Sequence, residues 1–352
     1  MMTRMTRFVA LAAFAIAPVV AHAEVRLEGE GSTFINPLAQ RWVTEYQKLH
    51  PDVLINYRGT GSGAGIKAVT NKTVDFAGTD APLGKKEAAA MNDKAIHLPA
   101  AAGAVVLAYN LNGVSDLKLS GDVIADIFAG KITKWNDAKI AALNNGAALP
   151  DTAIAPCYRS DGSGTTFIFT HYLSAVSPSF ESSIGAGKQV SFPVGQGAKG
   201  NDGVTAAVKQ TNGAIGYIEL NYALANKIDF AQVQNASGKF IKATPAAVTA
   251  AANSQAVQDK LKDSLAVSLW NQTGDDVYPI CSFTYLLVYS DLSNVKTAEQ
   301  AKALADFLAW ALSQDGGQKI NGELDYAALS VPVSAKEAEV LSKLTYNGQP
   351  LK

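Results

Sequence analysis

Apolar runs of strand length alternate along this chain with amphipathic stretches of helix length, and few architectures tolerate that rhythm. Ile35, Leu38, Trp42, Tyr46 and Leu49 step by three or four residues, which predicts a helix over about 36–49, closed by Pro51. A strand over 53–57 follows, then a glycine-rich turn, a short helix over about 65–71 and a strand over 74–77. Further strands are expected over 104–109, 154–158, 214–218 and 280–289, and helices over 123–128, 166–174 and 301–313. Residues 185–203 are rich in glycine and read as an ordered loop. The alternation predicts an α/β protein in which sheets are flanked by helices.

The first residues predict a secretory signal peptide. Arg4 and Arg7 give a positive start, an uncharged apolar run covers 8–20, and Ala21-His22-Ala23 is a small-x-small cleavage site. Cleavage after Ala23 leaves 329 of the 352 residues, more than one ordinary core accommodates. Two domains are expected. With no linker between sequence-contiguous halves, one domain reads as inserted in the other. Residues 24–104 plus 276–352 would form the first and 105–275 the second, with crossings near Ala104 and Ile280. Loss of the two arginines takes the formal charge from −1 to about −3, so the chain has no basic character for nucleic acid. An anion site would have to be built locally.

Three segments share a design suited to that purpose. Residues 31–34 (Gly-Ser-Thr-Phe), 59–65 and 161–166 each bring the chain to small and hydroxylated residues and then start a helix. Helix N-termini carry unpaired N–H groups and partial positive charge, glycine admits close approach, and hydroxyls add donors. Each segment alone is more often a turn and a cap than a ligand site, and Gly61-Ser62-Gly63 lacks the Gly-Lys-Ser/Thr of a nucleotide loop. Arg159, at the end of an apolar strand and just before the third segment, changes the weight. A guanidinium there can grip a tetrahedral oxyanion with two parallel hydrogen bonds, with Asp161 orienting it.

Asp80 is the discordant residue, since a carboxylate repels an anion. It becomes useful if the ligand carries a proton. Phosphate has a P–OH to donate; sulfate at neutral pH has none. Facing an unprotonated oxyanion, a buried carboxylate opposes acceptor to acceptor, at a cost of several kcal/mol.

Cys157 and Cys281 both lie in apolar, strand-like segments. Export permits a disulfide between them, and buried free thiols are the alternative. The histidines have no metal-ligand spacing, and no nucleophile–base arrangement or metal motif stands out. No cofactor is expected.

Taken together, these motifs resemble the periplasmic phosphate-binding protein of bacterial phosphate ABC importers. Residues 31–34, 57–65, Val74-Asp75-Phe76 with Asp80-Ala81-Pro82, and Arg159-x-Asp-Gly-Ser-Gly-Thr carry the likeness. So do Gly200-Asn201-Asp202-Gly203, Gly213-Ala214-Ile215-Gly216-Tyr217 and Leu324-Asp325-Tyr326, in order along nearly the whole mature chain. Departures sit beside the motif positions, at Ser32, where alanine is common, and at Thr60 and Ala64.

The resemblance implies a hinged, two-domain binding-protein fold of the second type, with phosphate dehydrated in the interdomain cleft. It implies donors at Thr33, Phe34, Ser62, Ser163, Gly164 and Thr165, the charged pair from Arg159 steadied by Asp161, and Asp80 accepting the phosphate proton. It further implies a periplasmic, monomeric, non-enzymatic protein whose partners are inorganic phosphate and the importer's membrane subunits. Two other readings stand beside it. A secreted phosphatase would need a nucleophile or metal ions. A carrier of sulfate or molybdate would conflict with Asp80, whereas arsenate shares phosphate's protons.

Overall fold

A single long strand organises the molecule, seen in a computed structural model that describes residues 24–351. The expected signal peptide, residues 1–23, lies outside the described residues. The strands of its two larger sheets are β1 (Val25–Gly31), β2 (Val53–Gly59), β3 (Phe76–Thr79), β4 (Ala95–Tyr109), β5 (Lys118–Leu119), β6 (Ala155–Arg159), β7 (Gln196–Ala198), β8 (Ala214–Glu219), β9 (Gln232–Gln234), β10 (Phe240–Ile241) and β11 (Cys281–Tyr289). Eight of them form one curled sheet in the order β2-β1-β3-β11-β4-β8-β6-β7, and β10-β9-β5 form a small second sheet. β4 pairs antiparallel with β11 through Ala95–Ala104 and with β8 through Val105–Tyr109. It therefore passes from one lobe, built on β1, β2, β3 and β11, into the other, built on β8, β6 and β7.

Both central strands are buried, as strands covered on both faces must be. All nine residues of β11 are buried, as is β4 from Leu98 onward. The first half of β4 was not legible: Ala95–Gly103 holds four alanines, a proline and a glycine, a composition of low strand propensity. Pairing along β11 overrides it. The helix Asn36–Leu49 matches its expected span and buries Leu38, Trp42 and Tyr46, while Leu49 turns out to solvent. The stretch 185–203 is only partly loop. β7 runs through it, and the helix Gly200–Gln210 begins inside it.

The possible Cys157–Cys281 disulfide is not formed, and both thiols are free and buried. Cys157 is on β6 and Cys281 on β11, with β8 and β4 between them in the sheet. Three strand spacings of about 4.8 Å separate them by roughly 14 Å, twice the reach of a disulfide. Burial pushes the Cys157 thiol up to about 11 and the Cys281 thiol higher still.

One buried group works against stability. Glu337, on the helix Val331–Leu341, is fully buried, and neither carboxyl oxygen has a partner among the described residues. Burial raises its pKa well above the usual carboxylate range. The folded state thus keeps a proton that the unfolded chain gives up above its ordinary pKa of about 4.3, so this group lowers stability as pH rises from there towards the folded pKa. Glu337→Met is expected to stabilise the protein at pH 8 by about 1–3 kcal/mol and to flatten the decline with pH. Denaturant melts at pH 5 and pH 8 check it; an unchanged midpoint at pH 8 refutes it.

Candidate functional site

The three hydroxyl-bearing segments converge where the lobes meet. β1 ends at Gly31, and Ser32, Thr33 and Phe34 carry the chain into the helix Asn36–Leu49. Ser62 is the first residue of the helix Ser62–Thr70, three residues earlier than periodicity predicts. Gly61 before it has φ +100°, and a Cβ there would stand 2.4 Å from Asp161 Oδ2, so only glycine lets the second lobe approach. β6 ends at Arg159, and Ser163 caps the helix Gly164–Val176 by accepting from the Thr166 amide at 3.0 Å. The Gly164 and Thr165 amides, first in that helix, have no intrahelical acceptor and point out of its positive end.

Contacts join the two sides. The Gly63 amide donates to the Gly162 carbonyl at 2.9 Å, and Tyr222 Oη donates to the Thr33 carbonyl at 2.6 Å. A Cβ on Gly164 would fall 2.3 Å from Asp80 Oδ2. Lys188 Nζ reaches both carboxylate oxygens of Glu87 at 2.7 and 2.6 Å. The described lobes are therefore closed on each other.

Arg159 is buried and almost fully committed. Nε and Nη2 donate to the two oxygens of Asp161 at 2.7 and 2.6 Å, and Nη1 donates to Thr165 Oγ1 at 3.3 Å. A guanidinium has five N–H groups, so one remains on each terminal nitrogen. Burial alone would raise the pKa of Asp161, but Arg159 and the Gly200 amide outweigh it and hold the group below the usual carboxylate range.

Asp80 is fully buried and ringed by hydroxyls. Ser32 Oγ lies 2.6 and 2.7 Å from its two oxygens, Thr284 Oγ1 donates to Oδ1 at 2.7 Å, and Ser62 Oγ lies 3.3 Å from Oδ2. Burial raises its pKa to about 6, against the lowering effect of Ser32, Thr284, Arg159 and Ser62. With Asp161 cancelling Arg159, the ionised cradle carries one formal negative charge. Its polar groups are hydrogen-bond donors, the two free N–H groups of Arg159 among them, set around the Asp80 carboxylate.

Every site residue expected from the sequence thus lies at this junction: Thr33, Phe34, Ser62, Asp80, Arg159, Asp161, Ser163, Gly164 and Thr165. The Phe34 amide is engaged within the protein, donating to Ser32 Oγ at 2.9 Å. Three residues were given no site role from the sequence. Ser32 stood out only as a departure from the family pattern. Thr284 is a mid-strand threonine, indistinguishable by type from any β former. Asn201 stood in the Gly200-Asn201-Asp202-Gly203 motif, where asparagine beside glycine usually marks a turn. It is fully buried and donates to Thr33 Oγ1 and Thr165 Oγ1.

Comparison with known proteins adds three findings. The model of the PBP superfamily domain matches residues 18–315. The chain is 41% identical over 308 residues to the phosphate-binding protein PstS of Xylella fastidiosa, covering 87% of this chain and 82% of the relative. It is 40% identical over 312 residues to PstS of Pasteurella multocida, covering 88% of each. Among solved structures, a high-affinity periplasmic phosphate-binding protein bound with phosphate superposes with a TM-score of 0.71 at 22% identity, covering 89% of this chain and 93% of that one. A putative phosphate transporter substrate-binding protein of Clostridium perfringens superposes with a TM-score of 0.64 at 21% identity, covering 87% and 100%. At such identities the structural matches speak for the fold.

Proposed function

The chain belongs to the PBP superfamily and, within it, to the phosphate-binding proteins of the PstS type, and from that premise we propose that it captures inorganic phosphate between its lobes and hands it to an ABC-type phosphate importer. The observation that carries the reading is a buried carboxylate, Asp80, set in a cradle otherwise made of donors. Such a cradle suits an oxyanion that keeps one proton. Asp80 accepts the P–OH. The two remaining N–H groups of Arg159, the amides of Thr33, Ser62, Gly164 and Thr165, and the hydroxyls of Thr33, Ser62, Ser163 and Thr165 replace the water shell of the other oxygens. Phe34 adds its amide when Ser32 releases it.

Capture of this kind is reversible and needs no nucleophile, so the protein acts as a carrier. It is exported, cut after Ala23 and works in the periplasm as a monomer. Among the described residues no helix is long and apolar enough to cross a membrane. The lobes, 24–104 plus 276–352 and 105–275, open about the strands that join them, β4 foremost. Calorimetry on protein stripped of carried-over ligand tests the assignment: phosphate should bind tightly and sulfate weakly at pH 8. Equal affinities, or steady phosphate release from a phosphoester, overturn it.

Closure has its own signature. Glu87 and Lys188 form the one ion pair between the lobes among the described residues, and both are partly exposed. Such a pair contributes about 0.2–1 kcal/mol and is weakened by salt. Lys188→Ala is expected to speed phosphate release up to about fivefold at low salt and to remove most of its salt dependence. Stopped-flow release at two ionic strengths checks this, and identical wild-type and variant rates refute it.

A further inference from the structure

Asn201 touches both lobes at the floor of the cleft, and its side-chain orientation is fixed. The Glu219 main-chain N–H donates to Asn201 Oδ1 at 3.0 Å, so that atom is the acceptor and Nδ2 faces the other way. Nδ2 has two N–H groups. One donates to Thr33 Oγ1 at 2.9 Å and the other to Thr165 Oγ1 at 3.1 Å.

A hydroxyl has one proton and two acceptor positions. Thr33 Oγ1 also accepts from the Asn201 main-chain N–H at 3.1 Å, and Thr165 Oγ1 from Arg159 Nη1 at 3.3 Å. Both acceptor positions on both oxygens are filled. Each hydroxyl can then only donate, and the side left to it is the cleft.

We infer that Asn201 is a positioning residue that locks Thr33 and Thr165, one from each lobe, as obligate donors to the bound oxyanion. The inference rests on the phosphate reading and deepens it. Hydroxyls free to turn would accept a P–OH as readily as donate to a P–O. With both locked, neither threonine competes with Asp80 for the ligand's proton, and the protonated oxygen is steered towards the carboxylate. Asn201 also ties the two threonines to each other only when the lobes are closed.

The test is a double-mutant cycle read by calorimetry with inorganic phosphate. Asn201→Ala should weaken binding about tenfold or more in the wild-type background. In a Thr33→Val, Thr165→Val background the same change should alter affinity less than about twofold, because the hydroxyls through which it acts are gone. An equal loss in both backgrounds, or none in the first, overturns the inference. Asn201→Asp keeps the shape and the acceptor for Glu219 but offers the hydroxyls an acceptor in place of a donor. It should cost more than alanine, about a hundredfold, and it supplies the reading if Asn201→Ala does not fold. Wild-type affinity in Asn201→Asp overturns the inference. A wild-type protein that takes arsenate or sulfate but not phosphate overturns the phosphate reading instead, and the cycle is then read with that anion. One that binds no oxyanion overturns both.

Discussion

Arg159→Ala should lower phosphate affinity by about 30-fold to several thousandfold, the range expected for truncating one partner of a buried, hydrogen-bonded charge pair (~2–5 kcal/mol). Two losses add. The variant removes the charge-assisted donors that face the ligand. It also strands Asp161, whose low pKa depends on Arg159, as an uncompensated carboxylate beside the incoming anion. Arg159→Lys should recover little. A lysine cannot span both oxygens of Asp161 and still present a donor pair, because the fork geometry belongs to guanidinium. Titration calorimetry decides, with a thermal melt to establish folding. Wild-type affinity in Arg159→Ala would remove the cradle from the proposed function.

Asp80→Asn should change selectivity more than affinity. In the wild-type cleft, sulfate sets an unprotonated oxygen against the Asp80 carboxylate, and at about 1.4 kcal/mol per tenfold a cost of several kcal/mol gives discrimination of ~10⁴. An asparagine amide presents a donor there. Sulfate affinity should rise at least a hundredfold, while phosphate loses about tenfold. The ring of Ser32, Ser62 and Thr284 hydroxyls remains to hold the amide in place. Acidity should produce the same relaxation without mutation. Burial holds the pKa of Asp80 near 6, so above that pH the group is an acceptor and below it becomes a donor. Competition between sulfate and phosphate should therefore sharpen as pH rises through about 6 in the wild type and stay flat in Asp80→Asn. Discrimination that is unchanged by both mutation and pH refutes the role given to Asp80.

Most of the cradle was legible because its parts are local. A strand that ends in Gly-Ser-Thr, or in Arg-Ser-Asp-Gly-Ser-Gly-Thr, presents helix-start amides and hydroxyls wherever the fold places it. Asp161 meets Arg159 two residues away. Strands rich in branched residues were equally plain. The alanine-rich half of β4 was not, because β11 supplies the reason for it to be extended.

What the sequence by itself determined is the set of groups brought to the junction: donors at three helix starts, one guanidinium and one carboxylate, a set that would suit a protonated oxyanion. The tertiary structure alone decided which partners hold those groups in their working states. Thr284 reaches Asp80 across 204 positions because β11 pairs with β3 in the register that sets Tyr285 opposite Thr79. Asn201 reaches Thr33 across 168, and Lys188 reaches Glu87 across 101, because the lobes close. The cysteines stay apart because two strands lie between them. The difference is physical. A residue's type and its immediate neighbours set what it can donate or accept, while strand register and lobe closure set which distant atom meets it.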